Sequence, residues 1–265
     1  MRDTPSPPPP SHPAPGAART PPRPARRGWR ARSRAGWIGL TIALLLGWVF
    51  TIWPQFDLWV SGQFRNGTGV FVDDAHAWAA ALYWAMPKIG WLYFVGALTV
   101  LALGRRWPAG VPFRWRRRAA SLALVSGLGS WLLVNVLLKE HWGRARPREV
   151  IELVANGHHH FSLAMVPASE CAHNCSFTSG HAASGFVVMA VGLMGSVATR
   201  RRWLAIGLAA GALASAGRVV QGAHFLSDTL FAGVAIWATG WLVREAWLRV
   251  RAARWRQLRR RREAL

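Results

Sequence analysis

The sequence predicts an all-α membrane protein, a bundle of six transmembrane helices. Three observations carry this. Apolar residues make up 52% of the chain while the formal net charge is +22; in a membrane protein the two properties occupy separate stretches. Six apolar runs approach the ~20 residues that cross ~30 Å of hydrocarbon. Arginine clusters fall in alternate connections between those runs. The 17 Trp residues suit side chains that settle at membrane interfaces. Strong basicity also suits nucleic acid, but here the arginines flank apolar runs, so the expected partner is the membrane surface and not nucleic acid.

Residues 1–34 are rich in Pro, Ala and Arg, with Pro7 to Pro10 consecutive, and show no apolar period. A disordered basic arm is expected there. Arg26-Arg27 before an apolar run has the outline of an export signal. The run is long and no small-x-small site follows it, so a retained first span is expected. Residues 35–243 form the membrane domain. Its spans run from about Gly36 to Trp53, ending at Pro54, then Tyr83 to Leu103, Ala119 to Leu138, Ala182 to Thr199, Trp203 to Val219 and Phe225 to Leu242. The fifth is rich in Gly and Ala, which suits close helix contact inside a bundle. Residues 244–265 mix Trp247, Leu248, Trp255 and Leu258 with many Arg; an interfacial amphipathic helix, anchored by anionic lipid headgroups at the cytoplasmic face, is expected.

Loop charges set the orientation. The basic arm, Arg105-Arg106 with Arg114 and Arg116-Arg117-Arg118, Arg200-Arg201-Arg202, and Arg259 to Arg262 alternate onto one side. That side is the cytoplasm. The other side receives Gln55 to Trp78, with Asp57, Arg65, Asp73 and Asp74, and the longer loop Glu140 to Gly180. Arg144, Arg146 and Arg148 face Glu140, Glu149, Glu152 and Glu170 in that loop. Both termini are expected inside, the second set of loops outside. Asp73-Asp74 and their aromatic neighbours read as a solvated connector or as an entrance to a site.

Cys171 and Cys175 share the outer loop. An isolated pair in an oxidising compartment bridges, which would pin the chain before Ser176. Zinc held with His173 and the run His158-His159-His160 is the other reading, although the spacing is not a standard site. No metal or other cofactor is expected.

The chemistry lies in three stretches. Ser176-Phe177-Thr178-Ser179-Gly180-His181 opens into an apolar run and reads as a helix N-terminus. Exposed amides and the helix dipole suit a phosphate there. The third span ends at Lys139, and Arg146-Pro147 follows. Two cations at that place fit a phosphate, Arg as a fork and Lys as a point charge; taken singly, they also fit a snorkelling Lys and a solvated Arg. Arg218 ends the fifth span, with His224 and Asp228 at the start of the sixth. Ionisable groups at a membrane boundary are functional suspects. His224 and Asp228 are four apart, on one helical face. A carboxylate against one ring nitrogen leaves the other a better nucleophile; the alternative is a His–Asp pair that only ties helices together.

Together these stretches resemble the type 2 phosphatidic acid phosphatase (PAP2) superfamily. Its pattern is Lys, six residues, Arg-Pro; then Pro-Ser-Gly-His; then Ser-Arg, five residues, His, three residues, Asp. This chain reads Lys139…Arg146-Pro147, Thr178-Ser179-Gly180-His181 and Gly217-Arg218…His224…Asp228. Thr178 replaces the usual Pro and Gly217 the usual Ser. A Pro at a helix start only preorganises the turn. The hydroxyl absent at Gly217 would have served a phosphate contact or a helix contact.

The resemblance covers about Ala119 to Leu242. It implies a six-span bundle with the active-site core that these phosphatases share with vanadium haloperoxidases. It implies that His224 attacks phosphorus to form a phosphohistidine, that Asp228 orients it, and that His181 protonates the leaving oxygen. Lys139, Arg146, Ser179, Gly180 and Arg218 would bind the phosphate. The substrate would be a phosphate or diphosphate on a membrane lipid, reached from outside: polyprenyl diphosphate, phosphatidic acid, phosphatidylglycerol phosphate or lipid A. No obligatory protein partner is implied. Lipid-to-lipid phosphotransfer at the same site and non-catalytic lipid transport are the alternatives; the second predicts loss of His181, His224 or Asp228, and all are present.

Overall fold

The computed structural model describes residues 27–66, 69, 71, 77–104, 106 and 110–263, with side chains described from Gly36 onward. Most of the predicted basic arm, together with Arg105, Asp73 and Asp74, lies outside the described residues. The architecture is all-α. Among the described residues there are only two isolated β-bridges, Arg65 with Phe71 and Val150 with His159.

Seven helices are numbered here. They are α1 (Arg27–Ile52), α2 (Gln55–Gly62), α3 (Ala77–Leu103), α4 (Phe113–His141), α5 (Gly180–Gly192), α6 (Val197–Val220) and α7 (Leu226–Glu263). The first begins at Arg27, inside the segment expected to be disordered. It stops before Pro54, as the residue preceding a proline leaves helical space. The chain then turns by 83° into α2. Asp57, expected in an outer loop, is therefore helical, and it is buried.

Helices α3, α4, α6 and α7 are each long and apolar enough to cross a membrane, and the bent α1–α2 pair makes a fifth candidate. Trp37, Leu44, Trp48 and Leu92 point outward from these helices. So much exposed apolar surface on several long helices marks an integral membrane protein.

The expected fourth span differs. Only seven residues of α-helix and six of tighter 3-10 helix form α5. At ~1.5 Å per residue it reaches about 20 Å, less than a bilayer core. The apolar run continues past it, but Gly195 and Ser196 break the helix, and Ser196 caps α6 through the Thr199 amide. Small residues let α5 and α6 approach closely. A Cβ at Gly211 would lie 2.2 Å from Phe186, and one at Gly185 would lie 2.7 Å from the Ala210 carbonyl oxygen. The core joins Val125 and Val134 of α4, Ala182, Phe186 and Val187 of α5, and Ala232 and Ile236 of α7. The arginine-rich tail does not form a separate element. It is the continuation of α7, a single helix of 38 residues.

Residues 142–179 pack as a cap over one end of the bundle. Gly143 turns the chain out of α4 with φ +71°, and a Cβ there would collide with the Ala168 carbonyl. Trp142 stacks on Phe177 at 4.6 Å and donates to the Ala164 carbonyl. Val150, Leu153 and Phe225 form a small second core beneath. Cys171 and Cys175 are disulfide-bonded, with Cα atoms 5.6 Å apart.

Candidate active site

Three chain segments meet at the capped end of the bundle: the end of α4 with residues 142–149, the start of α5, and the α6–α7 connection. Ser179 caps α5, its hydroxyl accepting from the Ala182 amide. Ser179 and Gly180 are buried. Gly180 has no room for a side chain, since a Cβ would lie 2.3 Å from Asn135 Oδ1. Gly222, at φ +60°, ends α6 and reverses the chain toward His224.

The three expected cations converge. Lys139, Arg146 and Arg218 all act electrostatically on His181 and on His224. Arg146 donates to the Asn174 carbonyl at 2.6 Å. Arg218 donates to Gln221 Oε1 at 2.6 Å and lies over the Tyr83 ring. The same ring stacks on His181, with centroids 5.3 Å apart. His181 Nε2 lies 3.2 Å from the Tyr83 carbonyl. A carbonyl only accepts, so Nε2 is assigned the proton. Burial, then Arg218, Lys139 and Arg146, push the pKa of His224 well below the ordinary imidazole value.

Asp228 is not placed as the spacing suggests. His224 Nδ1 lies 2.7 Å from the Ser176 carbonyl oxygen and 4.0 Å from Asp228 Oδ2. The carboxylate instead faces the cap. Its Oδ2 accepts from the Ser176 hydroxyl at 2.5 Å and from the Phe225 amide at 2.8 Å; its Oδ1 accepts from Arg144 at 2.5 Å. The Phe225 bond reaches back over the first turn of α7, as in half of a capping box.

Arg144, Asp57 and Ser176 are the residues that sequence reasoning missed. Arg144 reads as a loop charge, yet it is fully buried and bridges Asp228 to Asp57. Gly217, where a hydroxyl is usual, faces α3, with a Cβ position 3.4 Å from Leu82. Its place favours a helix contact. Three histidines of the loop between α4 and α5 face acids. His159 lies 3.7 Å from Glu170, His160 lies 3.6 Å from Glu152, and His173 lies 3.7 Å from Glu140. Among the described residues no three His, Cys, Asp or Glu converge as a metal site.

A cavity of about 610 Å³ opens beside the cations. Lys139, Gly180 and His181 line one end. Pro87, Trp91, Phe94, Trp131 and Val187 carry it down between α3, α4 and α5. It joins an end bearing Lys139 and His181 to an apolar trough.

Comparison with known families matches residues 119–252 to the PAP2 superfamily, half of the chain. The chain belongs to the PAP2 superfamily. Three curated relatives agree. A lipid A 4'-phosphatase of Francisella tularensis subsp. novicida is 30% identical over 211 residues, 78% of this chain and 92% of that protein. A lipid A 4'-phosphatase of Rhizobium etli is 33% identical over 70% of this chain and 79% of its own length. That of Rhizobium leguminosarum is 39% identical over 47% of this chain and 51% of its own. No solved structure matches. With this membership the protein is a phosphatase, a hydrolase of phosphoric esters. The matched PAP2 region holds each expected site residue and Arg144, whereas Asp57 lies outside it.

Proposed function

We propose that this PAP2 protein removes a phosphate from a membrane lipid of the lipid A type through a phosphohistidine on His224. The cavity carries the reading: an apolar trough of a size suited to acyl chains ends at Lys139, His181 and the α5 N-terminus, and Arg146 and Arg218 act on that same histidine. The relatives, which are lipid A 4'-phosphatases, supply the headgroup.

In this reading the phosphate sits on the α5 N-terminus, its oxygens held by Lys139, Arg146, Arg218, Ser179 and the Gly180 amide. These groups stabilise charge as it redistributes in phosphoryl transfer. His224 Nε2 forms a bond to phosphorus while the bond to the sugar oxygen breaks. His181, entering the step as an imidazolium with its Nε2–H on the Tyr83 carbonyl, gives that oxygen its Nδ1 proton. With Nε2 held on the Tyr83 carbonyl, Nδ1 is its exchanging atom. Water then attacks phosphorus, the bond to His224 Nε2 breaks, His181 takes the water's proton at Nδ1, and inorganic phosphate leaves. The active-site core is that of the vanadium haloperoxidases as well. The chain makes six passages, with α5 the short fourth one. Its termini are cytoplasmic and the site opens outside; anionic headgroups hold the arginine-rich side.

The test is phosphate release by purified protein in lipid nanodiscs, offered lipid A bisphosphate, phosphatidic acid, phosphatidylglycerol phosphate and polyprenyl diphosphate in separate assays. Lipid A should lose one phosphate, from the distal sugar by fragment mass. No release from any of the four overturns the reading. Phosphate appearing on a second lipid replaces hydrolysis with transfer.

A further inference from the structure

Arg144 and Asp57 are buried charged groups that the reaction itself does not use. Their contacts lead to His224 step by step. The guanidinium spends its donors on four groups. Nε donates to the Ser162 carbonyl at 2.9 Å, Nη1 to Asp228 Oδ1 at 2.5 Å and to Ser227 Oγ at 2.8 Å, and Nη2 to Asp57 Oδ2 at 2.9 Å. Phe225 and Phe161 cover its faces at 4.3 and 5.3 Å. Asp57 accepts from the Ser227 amide at 3.0 Å and from the Ser227 hydroxyl. A short helix bent away from α1 thus reaches across to the first turn of α7 and fixes both Arg144 and the residue before Asp228.

The next step is Ser176. Its amide donates to the Arg144 carbonyl at 2.8 Å, and its hydroxyl donates to Asp228 Oδ2. Both bonds depend on Arg144, one through its backbone and one through the carboxylate it grips. They set where the Ser176 carbonyl points, and that carbonyl is the acceptor for His224 Nδ1. Because a carbonyl cannot donate, Nδ1 carries the hydrogen and Nε2 keeps its lone pair.

We propose that Arg144 and Asp57 are positioning residues: through Asp228 and Ser176 they hold His224 with an unprotonated Nε2 toward the phosphate. The inference rests on His224 being the nucleophile of the proposed phosphatase. Two features distinguish it from an ion pair that only stabilises the fold. Two buried carboxyl groups share one guanidinium, an arrangement that a purely structural pair does not require, since buried ions are costly to desolvate. The arrangement also needs a planar fork that meets two carboxylates and a hydroxyl at once. A lysine, with one point charge, does not reproduce it.

Asp57→Asn, Arg144→Lys and the double variant test this in nanodiscs. Each single change should lower kcat by ~10–100-fold, since small misplacement of a reacting group has effects of that order. KM and inhibition by orthovanadate should stay within about threefold, because Lys139, Arg146 and Arg218 are untouched. The double variant should be no slower than Arg144→Lys alone, as expected of groups acting as one unit. In ¹⁵N-histidine spectra, His224 should shift from a single Nδ1–H tautomer to a mixture.

A kcat unchanged per folded molecule, with only the melting temperature lowered, overturns the proposal. So does a loss of vanadate affinity equal to the loss of kcat. Asp57→Glu, which keeps the charge on a longer arm, replaces Asp57→Asn if that variant does not accumulate. A wild-type protein inactive on every lipid phosphate overturns the phosphatase reading instead. Tautomer and vanadate measurements need no turnover and still decide the role of Asp57 and Arg144.

Discussion

His224 Nδ1 rests on the backbone carbonyl of Ser176, 2.7 Å away, and not on the carboxylate of Asp228, 4.0 Å away. A mutation cannot remove that carbonyl, but it can release it. Ser176→Ala deletes the hydroxyl bond to Asp228 and leaves the amide bond to Arg144. One hydrogen bond to a charged acceptor contributes ~1.5–3 kcal/mol net. Turnover should fall about tenfold or somewhat more, with KM little changed, as read by phosphate release.

Asp228→Ala should behave differently, because Asp228 serves Arg144 and the Phe225 amide as well. Removing one partner of a buried pair typically costs ~3–5 kcal/mol. The melting temperature should fall together with activity. Asp228→Asn, which keeps the shape, should recover much of the stability and little of the turnover.

Arg146→Ala and Arg218→Ala should each lower turnover by ~10²–10³-fold, as for loss of one donor to a developing charge. Orthovanadate inhibition should weaken in both, which separates these residues from Arg144 and Asp57. Protein levels should hold. Unchanged activity with collapsed expression would return the arginines to a structural role.

The pH profile follows from the His224 environment. Burial and three cations hold its pKa well below 6.5, so the ring is neutral at neutral pH and the proposed nucleophile is competent there. The acid limb of kcat/KM set by His224 should therefore lie well under 6.5. A cation lowers a histidine pKa, so removing one raises it. Arg218→Ala should move that limb upward in pH, in addition to lowering the plateau. A profile whose acid limb is unmoved by Arg218→Ala would assign the limb to another group.

What the sequence made legible was the cationic end of the candidate site. Lys139, Arg146, His181, Arg218 and His224 lie in short runs whose spacing is set by helix ends, so local order carries the geometry. Asp57 and Arg144 are 87 positions apart, and no local period relates them. The signal was a lone acid inside the apolar octet Gln55–Gly62, an ionisable group beside a membrane span. For Arg144 there was none, since its burial depends on how the cap folds over α7. The length of α5 failed for a similar reason. Apolar composition continues through Val197, and hydropathy does not register the break at Gly195 and Ser196.

Orientation is tested by single-cysteine labelling in a background lacking Cys171 and Cys175. Asn156 and Ser169 are exposed on the cap, and cysteines placed there should react with an impermeant maleimide in intact cells. Positions in the Arg200-Arg201-Arg202 turn should react only after permeabilisation. The reverse pattern would turn the protein over and put the site on the cytoplasmic face.

The two histidines should fail in different ways. His224 is proposed to bond to phosphorus, so His224→Ala should abolish phosphate release from every substrate and leave no trapped phosphoenzyme. His181 is proposed only to move a proton to the departing oxygen. A sugar alkoxide is a poor leaving group and needs that proton; a nitrophenolate does not. His181→Ala should therefore lose most activity on the lipid and recover a substantial part on a nitrophenyl phosphate. Quenching without acid, after mixing with labelled substrate, should give a base-stable, acid-labile adduct on the wild type. Two successive displacements should leave retained configuration at phosphorus. An adduct that persists in His224→Ala, or inversion at phosphorus, would assign the attack to another residue or directly to water. Equal loss of both substrates in His181→Ala would mean that this ring holds the phosphate instead of protonating the leaving group.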